Sequence, residues 1–183
     1  MDFVHLHVQS AYSLLASTVR INELVKEAKV KGMHSIALTD RNVMYGVIPF
    51  YKACKKQGIK PIIGLLADVL HGEETFPILL LARNNEGYSN LLKISSSIQT
   101  KTKEGIPLKW LKGYSEGLIG VSPGAEGIIE HSLANEETEK AMEAIGMFQA
   151  IFGPENFYMS LQVNGLVNRE LVKNLAKQTN TLL

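Results

Sequence analysis

Residues 35–66, SIALTDRNVMYGVIPFYKACKKQGIKPIIGLL, decide the fold. Ser35-Ile36-Ala37-Leu38 is short and nearly all apolar, the mark of a strand buried on both faces. Tyr45 to Gln57 predicts a helix, with Pro49 near its start and Gly58 as its stop. Pro61-Ile62-Ile63-Gly64-Leu65-Leu66 then returns to strand. Strand, helix and strand in this spacing make a crossover unit, which joins parallel neighbours.

Working outward, Phe3-Val4-His5-Leu6-His7-Val8 alternates with period two and predicts a strand. Ile21, Leu24, Val25 and Ala28 follow helical spacing, with an end near Gly32. Beyond the central unit, His71-Gly72-Glu73-Glu74 predicts a hairpin turn before a strand over Phe76–Ala82. Tyr88, Leu91, Leu92 and Ser95 mark a helix starting after Asn84-Asn85. Leu118–Val121 reads as a strand. Ala141, Ile145, Phe148 and Phe152 line a helix with Glu136 and Glu137 in its first turn and Gly153-Pro154 as its stop. Phe157–Gln162 reads as a strand and Arg169–Gln178 as a helix. Thr181-Leu182-Leu183 looks like the opening of another strand, so residues 1–183 are expected to be a piece cut within an α/β domain. The alternation of strands and helices predicts a largely parallel sheet with crossover helices.

Composition narrows the function classes. The 183 residues hold 19 Lys plus Arg against 18 Asp plus Glu, so there is no basic field for coating nucleic acid or an anionic membrane. Apolar residues are 45% and mean hydropathy is +0.03, ordinary for a globular protein. One cysteine, Cys54, closes no internal disulfide. No apolar run is long enough to span a membrane, the N-terminus lacks signal-peptide features, and the expected compartment is the cytoplasm.

Several residues are candidates for chemistry. His5 and His7 are two apart on the first predicted strand, so they share a face with alpha carbons about 6.6 Å apart. Asp40 lies at the end of the next strand. These three either start a metal site at one barrel mouth or are hydrogen-bonded rim and turn residues. His34, His71 and His131 read as structural or surface residues, and Ser13 and Ser122 as turn or cap serines without a nucleophile elbow. Only Asp2, Asp40 and Asp68 are aspartates, and no D-x-D pair offers a two-metal centre. No glycine pattern cradles phosphate. Lys52, Lys55, Lys56 and Lys60 read as a solvated face.

Four segments, FVHLHVQSAYSLL (3–15), IALTDRNVMYG (36–46), KPIIGL (60–65) and LLARNNEGYSNLLKISS (80–96), resemble the polymerase-and-histidinol-phosphatase (PHP) domain at the N-terminus of bacterial DNA polymerase III alpha subunits, of the Gram-positive replicative type. The resemblance covers essentially the whole chain in order. It implies an incomplete, distorted (β/α)7 barrel that ends before its last strands. In relatives that keep the site, strand ends hold a trinuclear metal centre for phosphoesterase or 3'–5' exonuclease chemistry. Here His7 matches the first histidine of the family's H-x-H and Asp40 the aspartate of T-D-H-G. The remaining positions depart: Gln9, Arg41, Leu66 and Pro77 stand where the family has a histidine, a histidine, a glutamate and a histidine. Ala16 replaces an aspartate, and Gly124 and Asn164 stand in for a cysteine and a histidine. Leu and Pro offer no donor atom and Arg brings a positive charge.

The resemblance therefore implies a module of a DNA-directed DNA polymerase, a nucleotidyltransferase that uses Mg2+ elsewhere in its chain. Within this stretch no catalytic, cofactor-binding or tight metal site is expected, and the six matched positions read as vestigial. The implied partners are the remainder of the polymerase chain, replisome subunits and, through the parent chain, DNA. An active metal-dependent phosphoesterase or exonuclease is the alternative. Arg41 is expected to replace the lost cation by charge-assisted hydrogen bonds to Asp40 or neighbouring polar groups.

Overall fold

The computed structural model describes residues 3–72, 74–161 and 168–183. Helix α1 (Ile21–Val30) precedes strand β1 (Ser35–Leu38), helix α2 (Val47–Gln57) and strand β2 (Lys60–His71). Strand β3 (Glu74–Ala82) and helix α3 (Asn85–Ser97) follow, the latter continuing into a π-helical turn over Ile98–Thr102. A two-residue strand β4 (Ile106–Pro107), helix α4 (Leu108–Gly113), strand β5 (Leu118–Val121) and helix α5 (Ile128–Ala134) come next. Helix α6 (Thr138–Phe152), strand β6 (Phe157–Tyr158) and helix α7 (Arg169–Gln178) complete the order.

Local chemistry explains the boundaries. Gly58 ends α2 in the left-handed conformation at φ 67°, and its N–H donates to the Cys54 and Lys55 carbonyls. Asn84 caps α3 by accepting from the Gly87 N–H at 2.9 Å. Gly72, at φ 64°, lies in the turn between β2 and β3.

The sheet runs β1-β2-β3-β5-β6, with β4 alongside the far end of β2. It is mixed, which corrects the largely parallel expectation. The β1–β2 and β5–β6 pairs are parallel as the crossover rule requires, but β2–β3 and β3–β5 are antiparallel. The reason is the hairpin at residues 71–74: it turns the chain straight back, so β3 must oppose β2.

The expected first strand is also corrected. Residues 3–8 run beside β1 without forming a regular ladder. Ala37 N–H donates to the His5 carbonyl and Thr39 N–H to the Val8 carbonyl. The Thr39 hydroxyl also takes the Val8 N–H at 2.9 Å, where a backbone carbonyl would sit in a regular pair. The Phe157–Gln162 strand shortens to β6, with Gln162 outside the described residues. Leu182 makes one parallel bridge to Tyr158, and its carbonyl accepts the Met159 N–H at 2.8 Å.

The sheet curls. Leu65, Ala67 and Val69 of β2, with Ile78 and Leu80 of β3, face outward into the main core against α3 to α7, where Phe148 stacks on Phe157. A second core joins Ile21 and Val25 of α1, Ile36 and Leu38 of β1, and Phe50 and Cys54 of α2. The alternate residues, among them Ile62, Leu79, Leu81, Ile119 and Val121, face inward onto a cavity of about 740 Å³ flanked by residues 3–7. Among the described residues no helix is long and apolar enough to cross a membrane.

Candidate functional site

Asp40 leaves the end of β1 with only 2% of its surface exposed. A buried carboxylate needs donors, and the loop after residue 9 supplies them. Ser10 donates its N–H to Oδ1 at 2.6 Å, and its hydroxyl lies 2.8 Å from Oδ2. The Ser13 hydroxyl adds a contact to Oδ1 at 2.8 Å and accepts the Arg41 N–H at 3.0 Å. Both oxygens of Asp40 are thus engaged by this loop.

The Arg41 side chain turns away from Asp40 to its neighbours. Its Nη2 and Nε donate to the two oxygens of Asp68 at 2.8 and 3.1 Å, a bidentate fork, and Nη1 donates to Glu126 Oε2 at 3.0 Å. The hydrogen bond to Asp68 is the main cause that holds the guanidinium pKa above its ordinary value. Asn42 completes the clamp. Its Nδ2 donates to Asp68 Oδ2 at 2.6 Å, and its Oδ1 accepts the Asp68 N–H at 2.9 Å. Asn42 adopts the left-handed conformation at φ 60°, and its carbonyl accepts from Ser95 Oγ and Gln99 Nε2.

Asp68, Asn42 and Glu126 escaped the sequence reading. Asp68 was legible in principle: period two from Ile62 puts residues 64, 66 and 68 on the inner face, once β2 is carried through to His71. Glu126 lies on the loop after β5, and no local pattern places it.

The other vestigial positions are brought to the same end of the sheet. Leu66 is fully buried, and its carbonyl accepts the Asn42 N–H at 2.9 Å. Pro77 is buried and faces Asp68 across the β2–β3 pair, where β5 no longer reaches. A missing N–H is tolerated on that unpaired side. Gln9 is half-buried, and its carbonyl accepts from Ser17 Oγ. His5 and His7 line the cavity, and among the described residues they form no metal-holding group with Asp40. Desolvation pushes the His7 pKa down, opposed by the charge of Glu126. Gly124 occupies the β5 loop at φ 87°; Asn164 lies outside the described residues. Set against the family's metal centre, these side chains fit poorly. Asp40 has its oxygens occupied by hydroxyls, Asp68 by a guanidinium, and Leu66 and Pro77 have nothing to donate. Among the described residues no three His, Cys, Asp or Glu side chains are placed to hold one ion.

A second polar cluster closes the β5 end. Glu130 of α5, 4% exposed, accepts from Ser122 Oγ, and that same oxygen accepts the Ser160 N–H at 2.9 Å. Glu130 Oε2 has no hydrogen-bond partner among the described residues. Burial pushes the Glu130 pKa up to about 7 despite the serine contact.

A curled mixed α/β sheet with its polar side chains at the strand ends has the architecture of an incomplete, distorted barrel. The fold is that of an amidohydrolase from Chromobacterium violaceum, with TM-score 0.65 and 13% identity, covering 97% of this chain and 83% of that one. The sequence matches the PHP domain over residues 5–164, and the chain belongs to that family. It is 49% identical to the DNA polymerase III subunit alpha of Bacillus subtilis and 40% identical to that of Halalkalibacterium halodurans, over 98% and 96% of its length. The chain spans only 16% of the length of either relative.

Proposed function

We propose that this chain is the PHP part of a bacterial replicative DNA polymerase alpha subunit that works in the cytoplasm, and that the barrel acts there as a non-hydrolytic scaffold. Template-directed synthesis, with its Mg2+, belongs to the rest of the parent chain, which is also what meets DNA and replisome subunits. The chain's high identity to two such subunits supports the parent. One observation carries the scaffold reading: the Arg41 guanidinium, partly exposed, is bonded to Asp68 and Glu126 and so places a built-in cation among the positions that the family resemblance implies for metal ligands. A bound divalent ion would have to displace it or share its carboxylates, at a cost in Coulomb repulsion. The test is 3'–5' exonuclease and phosphoesterase assay of the full chain with added Zn2+ or Mn2+. No metal-dependent hydrolysis is expected beyond that of a variant with His7→Ala and Asp68→Ala. Hydrolysis lost in that variant refutes the scaffold reading.

A further inference from the structure

The loop that feeds Asp40 has a second side. Residues 11–17 are pinned from within by the Ser10 and Ser13 contacts, by Ser17 Oγ on the Gln9 carbonyl and by Ala11 N–H on the Val19 carbonyl. Yet the tip projects Leu14 and Leu15 into solvent, and Leu15 adopts a left-handed φ of 63°, unfavourable for a leucine. Tyr12 packs against the backbone at Gly46, where a Cβ would meet its ring at 3.0 Å, so the loop adjoins the start of α2. There Tyr45 and Ile48 are also exposed. Neither residues 8–19 nor residues 42–51 contain a charged side chain. An uncharged apolar knob held at its base by hydrogen bonds and set beside aromatic residues has the composition of an interface centre.

We propose that Tyr12, Leu14, Leu15 and Tyr45 form the surface on which the remainder of the polymerase chain docks. The inference rests on the polymerase reading above. Relatives carry the other five-sixths of their length on the same polypeptide. A tethered partner acts at high effective concentration and outcompetes free ones. The next stretch of α2 makes the contrast: Tyr51 lies under Lys55, 5.7 Å from ring centre to Nζ, on a face with Lys52 and Lys56. Ile48 shares that charged face, three and four residues before Tyr51 and Lys52, and the face lies outside the docking surface.

Hydroxyl-radical labelling of the full-length chain purified from its source tests this, with Tyr51 as internal reference. Tyr12, Tyr45 and Tyr51 are 42%, 62% and 47% exposed in this domain, so an uncovered surface labels Tyr45 at least as strongly as Tyr51. Docking predicts several-fold weaker labelling of Tyr12 and Tyr45 than of Tyr51. It also predicts that Leu14→Asp with Leu15→Asp, in a chain that keeps its Tyr51 labelling, restores both. Equal labelling in the long native chain overturns the docking surface and leaves the polymerase reading intact. Protection that disappears on dilution assigns the surface to a second copy or a separate protein and also overturns it. A native chain of about the mass of this domain refutes the polymerase reading itself, and with it the docking.

Discussion

Asp40 and Glu130 are buried to the same depth, 2% and 4% exposed, yet their surroundings differ. Asp40 receives an N–H and two hydroxyls from one loop, so both its oxygens are used. Glu130 has one serine and leaves an oxygen without a partner among the described residues. Depth alone therefore does not set the cost of a buried carboxylate; the supply of donors does. The β1 end of the sheet is a completed network that should carry stability. The β5 end is an incomplete one that should carry sensitivity to pH.

The largest effect that would sharpen the contrast comes from Asp40→Ala. It strands the Ser10 N–H and two hydroxyls inside the protein and should cost at least about 3 kcal/mol in denaturant unfolding, the low end of roughly 1–3 for each of the three buried groups left unpaired. A cost as small as that of a surface change would mean the loop relaxes into water, and the network is not what holds it. Next comes Glu130→Gln. The folded state raises the Glu130 pKa from 4.5 to about 7, so the native protein holds a proton that the unfolded chain releases between those values. Stability from this group is full below pH 4.5, falls as pH rises towards 7 and is flat above it, a loss of about 3 kcal/mol. The Gln variant should flatten that slope and be the more stable protein at pH 8, as thermal melts across pH 4–9 will read. Identical slopes would place the ionised carboxylate in water.

Arg41→Ala ranks third. Asp68 keeps Asn42 and its own partial contact with solvent, so the loss should be about 1–2 kcal/mol, visible as a lowered Tm. An unchanged Tm would remove the internal cation from the account. Smallest is Lys140→Ala: the 2.6 Å contact to Glu74 lies on the surface and should leave Tm unchanged within error.

Much of this contrast could be read from the sequence in part. The helices and strand cores were legible because their apolar periods are long and Gly58 and Asn84 mark their ends. Sheet direction departs from what the alternation of strand and helix predicts, because the hairpin at 71–74 alone fixes β3 antiparallel. The two residues of β4 and the short α4 and α5 are too brief for any period to show. At the site, Asp40 is marked by its place at the end of a predicted strand and Arg41 by the family resemblance. Their partners Ser10, Asp68 and Glu126 are not, because pairs 27 to 85 residues apart meet only through the curl of the sheet. Glu130 gave no signal, since a glutamate in an amphipathic helix reads as surface.

The most direct measurement is the metal content of the full-length chain purified without chelators, by elemental mass spectrometry, for wild type and for Arg41→His. If Arg41 is the internal cation of the site, wild type holds well under one zinc or manganese per chain, even after incubation with either ion and desalting. Restoring the family's histidine should not by itself build a site, because Leu66 and Pro77 still lack donors. One or more tightly held ions per wild-type chain, released when His7 or Asp68 is changed to alanine, would contradict the account.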